Sequence, residues 1–180
     1  MSRKPTIATD WLGGCAGCHM SLLDMDERLV EIIQKATLTS SPITDLKEPA
    51  ASGVDVGILE GAITNSSNEE VARKMRQRCR LLVALGDCAV FGGVPTMRNG
   101  CGQEVAMRRA YLETESTADG TIPADKELGR PQHTCPVHDV VPVDVHLPGC
   151  PPPADAIYQA LAALAQGRLP ELKGKLLDWH

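Results

Sequence analysis

Four short apolar runs, several rich in β-branched residues, recur along the chain, and each reaches a glycine within two residues of its end: Thr6 to Leu12, Val54 to Leu59, Leu81 to Leu85 and Val140 to Leu147. Runs of this kind predict strands buried on both faces of a sheet. Between them the polar and apolar positions follow a helical period. From about Met20 to Lys35, Leu22, Leu23, Leu29, Val30, Ile32 and Ile33 make one stripe, and Asp24, Asp26 and Glu27 fall in early turns, where the helix dipole favours anions. Ser67 to Glu70 fits a capping box opening a helix that runs to about Cys79. A further helix, Ala154 to about Gln166, carries Ile157, Leu161 and Leu164 on one face and meets Gly167 as its stop. The alternation of strand and helix predicts an α/β fold, a flavodoxin-like doubly wound parallel sheet with right-handed crossovers.

A chain of 180 residues suits one domain over 1–180. Its exception is an irregular insert at about 95–139, where one helix, Gln103 to Glu113, precedes a polar run too long for an ordinary connection. Such a segment faces a partner, covers a site or forms a solvated loop. With a net charge of -5 and no basic run, the composition argues against nucleic acid and lipid headgroups as partners. The first residues form neither a secretory leader nor a membrane span, which places the expected location in the cytoplasm. In that reducing compartment seven cysteines point to metal binding or catalysis rather than to a disulfide framework.

Ligands of open parallel sheets sit beyond the carboxyl ends of the strands. Cys15 and Cys18 follow the first predicted strand, Cys88 the third and Cys150 the fourth, so four thiols are expected at one sheet edge. Four thiolates suit an iron–sulfur cluster or zinc. Gly13, Gly14, Gly17, Gly86 and Gly149 lie beside them, as expected where backbone must approach a bulky inorganic core, and that favours the cluster. Zinc more often takes a second close Cys-x-x-Cys pair. A thioredoxin-like disulfide leaves Cys88 and Cys150 without a role. Cys15 to His19 also spells Cys-x-x-Cys-His, the haem-attachment pattern, but that chemistry calls for export. His19 is either a hydrogen-bonding group beside the site or a surface residue. Trp11 covers the site or packs in the core, and Glu60 lines a path or is a solvated carboxylate. Cys79 reads as a packed apolar residue. Cys101 and Cys135 read as structural, although His133, Cys135 and His138 form a thin second metal motif.

Cys15-Ala16-Gly17-Cys18, Gly86-Asp87-Cys88 and Pro148-Gly149-Cys150-Pro151-Pro152 together resemble the small, electron-transferring subunit of nickel–iron hydrogenases, a superfamily shared with the proximal-cluster subunit of respiratory complex I. The run "GCAGCHMSLLDMDERL" is similar to the small subunit of soluble NAD-reducing, or bidirectional, hydrogenases. The resemblance implies one proximal [4Fe–4S] cluster held by Cys15, Cys18, Cys88 and Cys150. It also implies a large subunit carrying the nickel–iron centre, and diaphorase subunits with further clusters and flavin that reduce NAD. The chain itself then has no catalytic residue and serves as the relay. Flavin mononucleotide in this chain is disfavoured, because the cysteine pair occupies the loop where its phosphate would sit. The related complex I subunit has adjacent cysteines where Cys15 and Cys18 are separated by two residues, which favours the hydrogenase branch. Cys79, Cys101 and Cys135 match none of the family's cluster motifs.

Overall fold

A computed structural model describes residues 3–177. Five parallel strands form the main sheet: β1 (Thr6–Trp11), β2 (Thr37–Ser40), β3 (Val54–Glu60), β5 (Cys79–Leu85) and β7 (Val145–Leu147), ordered β2-β1-β3-β5-β7. Counted among themselves these strands run 2-1-3-4-5, the flavodoxin-like order, and the switch point lies between β1 and β3. Helices α1 (Gly17–Leu23), α2 (Glu27–Lys35) and α6 (Ala154–Ala165) supply the core on one face; α3 (Ser66–Arg78) and α4 (Gly86–Phe91) supply it on the other. Adjacent strand residues point to opposite layers: Ile7, Ile58 and Val83 join the first core, and Ala8, Leu59 and Ala84 the second. Gly57 lets α3 lie close to the sheet, since a Cβ there would meet Met75 at 2.9 Å.

Several expectations need correction. The long first helix is two helices, because the chain turns at Asp24–Asp26, with Asp26 at φ 50°, and drops Met25 into the core at 1% exposure. Val30 and Ile33, which the helical period assigns to the apolar stripe, are exposed. The third helix is capped by Asn65, whose side chain accepts from the Asn68 N–H, and not by the Ser67 box. The last strand is only β7, because Pro142 interrupts the run and Asp144 turns back to β5. There its carboxylate accepts from the Leu82 N–H at 2.7 Å and pairs with Arg76. β2 carries no strong strand signal, because its sequence, Thr-Leu-Thr-Ser, lacks the apolar run of an inner strand.

The insert is more ordered than its polarity suggests. It holds a 3₁₀ segment (Val94–Gly100), α5 (Gln103–Tyr111) and β6 (Pro131–Cys135), which pairs antiparallel with β4 (Ile63–Asn65). Arg98 pins this small sheet by donating to the carbonyls of Thr64 and Gln132. Among the described residues, no helix is long and apolar enough to cross a membrane.

Candidate functional site

The four cysteines lie on the three segments that follow β1, β5 and β7, Cys15 and Cys150 in loops and Cys18 and Cys88 in the first turns of α1 and α4, and each segment is tied to a neighbour. Beyond β1, the Gly13 N–H donates to the Ala62 carbonyl at 2.9 Å and the Ala62 N–H returns the bond to Gly13 at 2.8 Å, joining the loops after β1 and β3. Gly61, at φ +87°, permits this approach: a Cβ there would sit 2.9 Å from the Leu12 carbonyl carbon. Cys15 follows on this loop and Cys18 lies in the first turn of α1, with Ala16 between them in the left-handed region at φ 63°. Cys88 lies on α4. The Asp87 N–H donates to the Gly149 carbonyl and the Gly149 N–H donates to Asp87 Oδ1, both at 2.8 Å, locking the Cys88 and Cys150 loops together. Ser21 Oγ donates to the Pro152 carbonyl at 2.6 Å, which binds α1 to the same proline loop.

This framework brings Cys15, Cys88 and Cys150 within electrostatic reach of Cys18, and Cys15 and Cys150 within reach of Cys88. Burial pushes the Cys18 thiol well up, and Glu60, Cys88, Cys15 and Cys150 push it further. Burial likewise raises Cys88, followed by Cys150 and Cys15. A metal group that takes these sulfurs as thiolates must therefore displace their protons and supply compensating positive charge. Cys15 and Cys150 are exposed, whereas Cys18 and Cys88 are half-buried. Among the described residues, no three His, Cys, Asp or Glu side chains close on one point as a site for a single metal ion, so the four thiols suit a larger, multi-atom core rather than a lone ion.

Glycine clears the space around the sulfurs. A Cβ at Gly86 would overlap Cys18 Sγ, and one at Gly93 would come within 2.9 Å of Cys88 Sγ. Backbone at these positions can approach the thiols where a side chain could not. An all-thiolate donor set with closely approaching backbone fits an iron–sulfur cluster.

Two residues beside the thiols differ most from their expected settings. Glu60, read as a solvated carboxylate, is 2% exposed, and His19 is 1% exposed. Glu60 Oε2 accepts from the His19 N–H and lies 2.6 Å from its ring Nδ1. His19 Nε2 lies 3.0 Å from Thr9 Oγ1, which donates to Ser41 Oγ. The available signal was positional: Glu60 closes an apolar strand and pairs in register with Trp11, at the edge where Cys15 begins. Trp11 is exposed rather than packed in the core, with its ring set edgewise to His19.

The remaining cysteines separate from this group. Cys79 is buried in the second core, as expected. Cys101 is exposed and its Sγ donates to the Arg98 carbonyl. Cys135 ends β6, half-buried. Its flanking histidines have other neighbours: His133 lies against Asn99, and His138 stacks edgewise on His146. Phe91 at the end of α4, with Val94 and Met97 on the following segment, exposes apolar surface next to Cys88.

Comparison with known proteins gives a consistent set of likenesses. Residues 15–164 match the family model described as NADH ubiquinone oxidoreductase, 20 Kd subunit. The chain is 38% identical over 169 residues to the NAD-reducing hydrogenase HoxS subunit delta of Cupriavidus necator, covering 92% of this chain and 80% of that one. It is 35% identical over 175 residues to a subunit of the F420-non-reducing hydrogenase of Methanothermobacter thermautotrophicus; that match covers 96% of this chain but only 57% of the relative's length. Among solved structures, a chain of an NAD+-reducing [NiFe]-hydrogenase in the H2-reduced state superposes with a TM-score of 0.94 at 38% identity, covering 99% of this chain and 100% of that one.

Proposed function

The chain belongs to the NADH ubiquinone oxidoreductase 20 Kd subunit family, and from that premise we propose that it is the small, electron-transferring subunit of a nickel–iron hydrogenase. In this reading Cys15, Cys18, Cys88 and Cys150 hold one [4Fe–4S] cluster. The observation that carries the proposal is the convergence of thiols from the three segments that follow β1, β5 and β7 at the sheet's carboxyl edge, where Cys18 and Cys88 are raised by burial and by the neighbouring thiols. When bound, the cluster supplies a one-electron redox centre.

The chain's own residues do the rest. The reciprocal Asp87–Gly149 bonds and the Ser21–Pro152 bond fix the three loops. Gly86 and Gly93 leave room for backbone to approach the sulfurs. Exposed Trp11, Phe91, Val94 and Met97 surround this edge with apolar surface suited to a partner. That partner is proposed to be the large subunit with the nickel–iron centre, where hydrogen is split. Electrons then pass to diaphorase subunits carrying flavin and further clusters, which reduce NAD+ reversibly in the cytoplasm. The likeness to the NAD+-reducing structure over its whole chain favours NAD as the terminal carrier. The likeness to the F420-non-reducing hydrogenase of Methanothermobacter thermautotrophicus supports a second reading, the same relay serving another acceptor.

Purification of the tagged full-length chain without oxygen, together with whatever binds it, tests this reading. Nickel is expected in the partner, and hydrogen gas alone should produce the paramagnetic signal of a reduced cluster. A complex without nickel, or a cluster that dithionite reduces and hydrogen does not, would contradict it.

A further inference from the structure

We infer that Arg98 is a positioning residue for subunit docking: it fastens the 3₁₀ segment Val94–Gly100 to the β4–β6 pair, so that Val94 and Met97 stand as a preformed apolar contact for the large, nickel-bearing subunit. This inference rests on the partner reading above and names the device that holds its contact surface in place.

The segment has no core of its own. None of its residues is buried, and seven residues is long for a helix of this kind. Three residues per turn put Val94 and Met97 on one face, where they are 67% and 77% exposed, while Arg98 turns to the body of the protein. Its Nη2 lies 2.6 Å from the Thr64 carbonyl oxygen, 2.6 Å from that of Gln132 and 3.0 Å from Thr134 Oγ1. Asn99 adds a reciprocal pair, its Nδ2 donating to the Thr134 carbonyl at 2.7 Å and its Oδ1 accepting from the Thr134 N–H at 2.9 Å. Among the described residues, these two side chains make the segment's hydrogen bonds to β4 and β6.

The small sheet leaves a place for the guanidinium. After Ile63 pairs with Cys135 the register slips, and the next pair sets Asn65 against Pro131, which has no N–H to give. The carbonyls of Thr64 and Gln132 fall in that gap, and Arg98 supplies the donors that a regular ladder would. At its other end the segment continues the turn that ends α4. Gly92 and Gly93 bend the chain at φ +88° and +53°, and Thr96 ties back to the Gly93 carbonyl through both its N–H and its Oγ1. Val94 and Met97 thereby extend the exposed surface of Phe91 at the edge that holds Cys88. A relay receives its electron only from a partner that comes close to that edge, which makes the large subunit, rather than a second copy of this chain, the occupant of the face. A surface already held in its binding shape loses less freedom on association, so affinity depends on the latch as well as on the apolar side chains.

The test measures how fast the co-purifying nickel-bearing subunit leaves the full-length chain, both handled without oxygen. Wild type, Arg98→Met, Arg98→Lys, Met97→Ala and the double variant Met97→Ala with Arg98→Met are compared, with iron content and Tm taken on each. Arg98→Met keeps an aliphatic stem and removes the donors; it is expected to retain its iron and to release the subunit about tenfold faster. Arg98→Lys, which keeps a charged donor, should fall between it and wild type. The double variant separates presentation from simple stabilisation: Met97→Ala should speed release in the wild-type background and add little once Arg98 is gone. Two effects that multiply independently overturn the inference, as does an unchanged rate in Arg98→Met. Loss of iron and Tm together in both Arg98 variants assigns the arginine to folding and overturns it as well. A wild-type chain with which no nickel-bearing subunit co-purifies overturns the partner reading itself, a result distinct from the others.

Discussion

Replacing Cys18 by serine is expected to remove iron and acid-labile sulfide together while leaving the chain folded. Cys18 sits half-buried in the first turn of α1, within electrostatic reach of the other three thiols. A serine oxygen is a harder, protonated and shorter-reaching donor, ill-matched to an iron–sulfur core that selects soft thiolates. The content should fall well below about four iron and four sulfide per chain, because one iron loses its thiolate and the core its most buried anchor. Cys79→Ser is the contrasting substitution. That residue is buried in the second core, away from the other thiols, so its serine variant should keep the iron and lose about 1–3 kcal/mol of stability, read from denaturant unfolding. Cys101→Ser, at an exposed turn, should change neither quantity measurably.

Gly86→Ala is expected to have a comparable effect on iron without touching a ligand. Gly86 has φ +84°, and a Cβ there would overlap Cys18 Sγ. The left-handed backbone alone costs an L-residue about 1–2 kcal/mol, and the overlap adds to it. Relief comes either by pushing Cys18 away from its partners or by moving the loop in which Asp87 locks to Gly149. Both routes spread the thiols. Iron content should drop sharply and Tm should fall by about 2–4 °C for each kcal/mol lost. Gly167→Ala separates the two causes, because Gly167 has φ +73° with open space around it. That variant carries the backbone strain and should retain its iron.

The sheet was legible in the sequence where burial on both faces forces unbroken apolar runs, as in β3 and β5. It was illegible where that pressure is absent. β2 is an edge strand of threonine, leucine and serine, and β4 and β6 form a small outlying pair pinned by Arg98. The first helix misled because Leu22 and Ile32 do face the core, yet Met25 closes the turn between them and inverts which face follows: Val30 and Ile33 end in solvent. Local periodicity cannot register such a break when the residue that makes it is itself apolar.

The cysteine edge was legible for a different reason. Strand ends are fixed by the glycines that follow them, and the topology then dictates which loops share an edge. The environment of those loops was not. His19 and Glu60 are hydrophilic residues of types seldom buried, and only the tertiary pairing across the switch point explains why both are nearly inaccessible. Trp11 misled in the opposite direction, a large aromatic left exposed at an edge where a partner would supply the missing contacts.

The most direct measurement of the central claim is the count of iron and acid-labile sulfide per chain, with an absorption spectrum, on the full-length protein purified without oxygen. About four of each, with a broad visible shoulder that bleaches on reduction, is the result expected for a single cluster on Cys15, Cys18, Cys88 and Cys150. Zinc without sulfide, or a sharp haem band, would contradict the ligand assignment and the relay built on it.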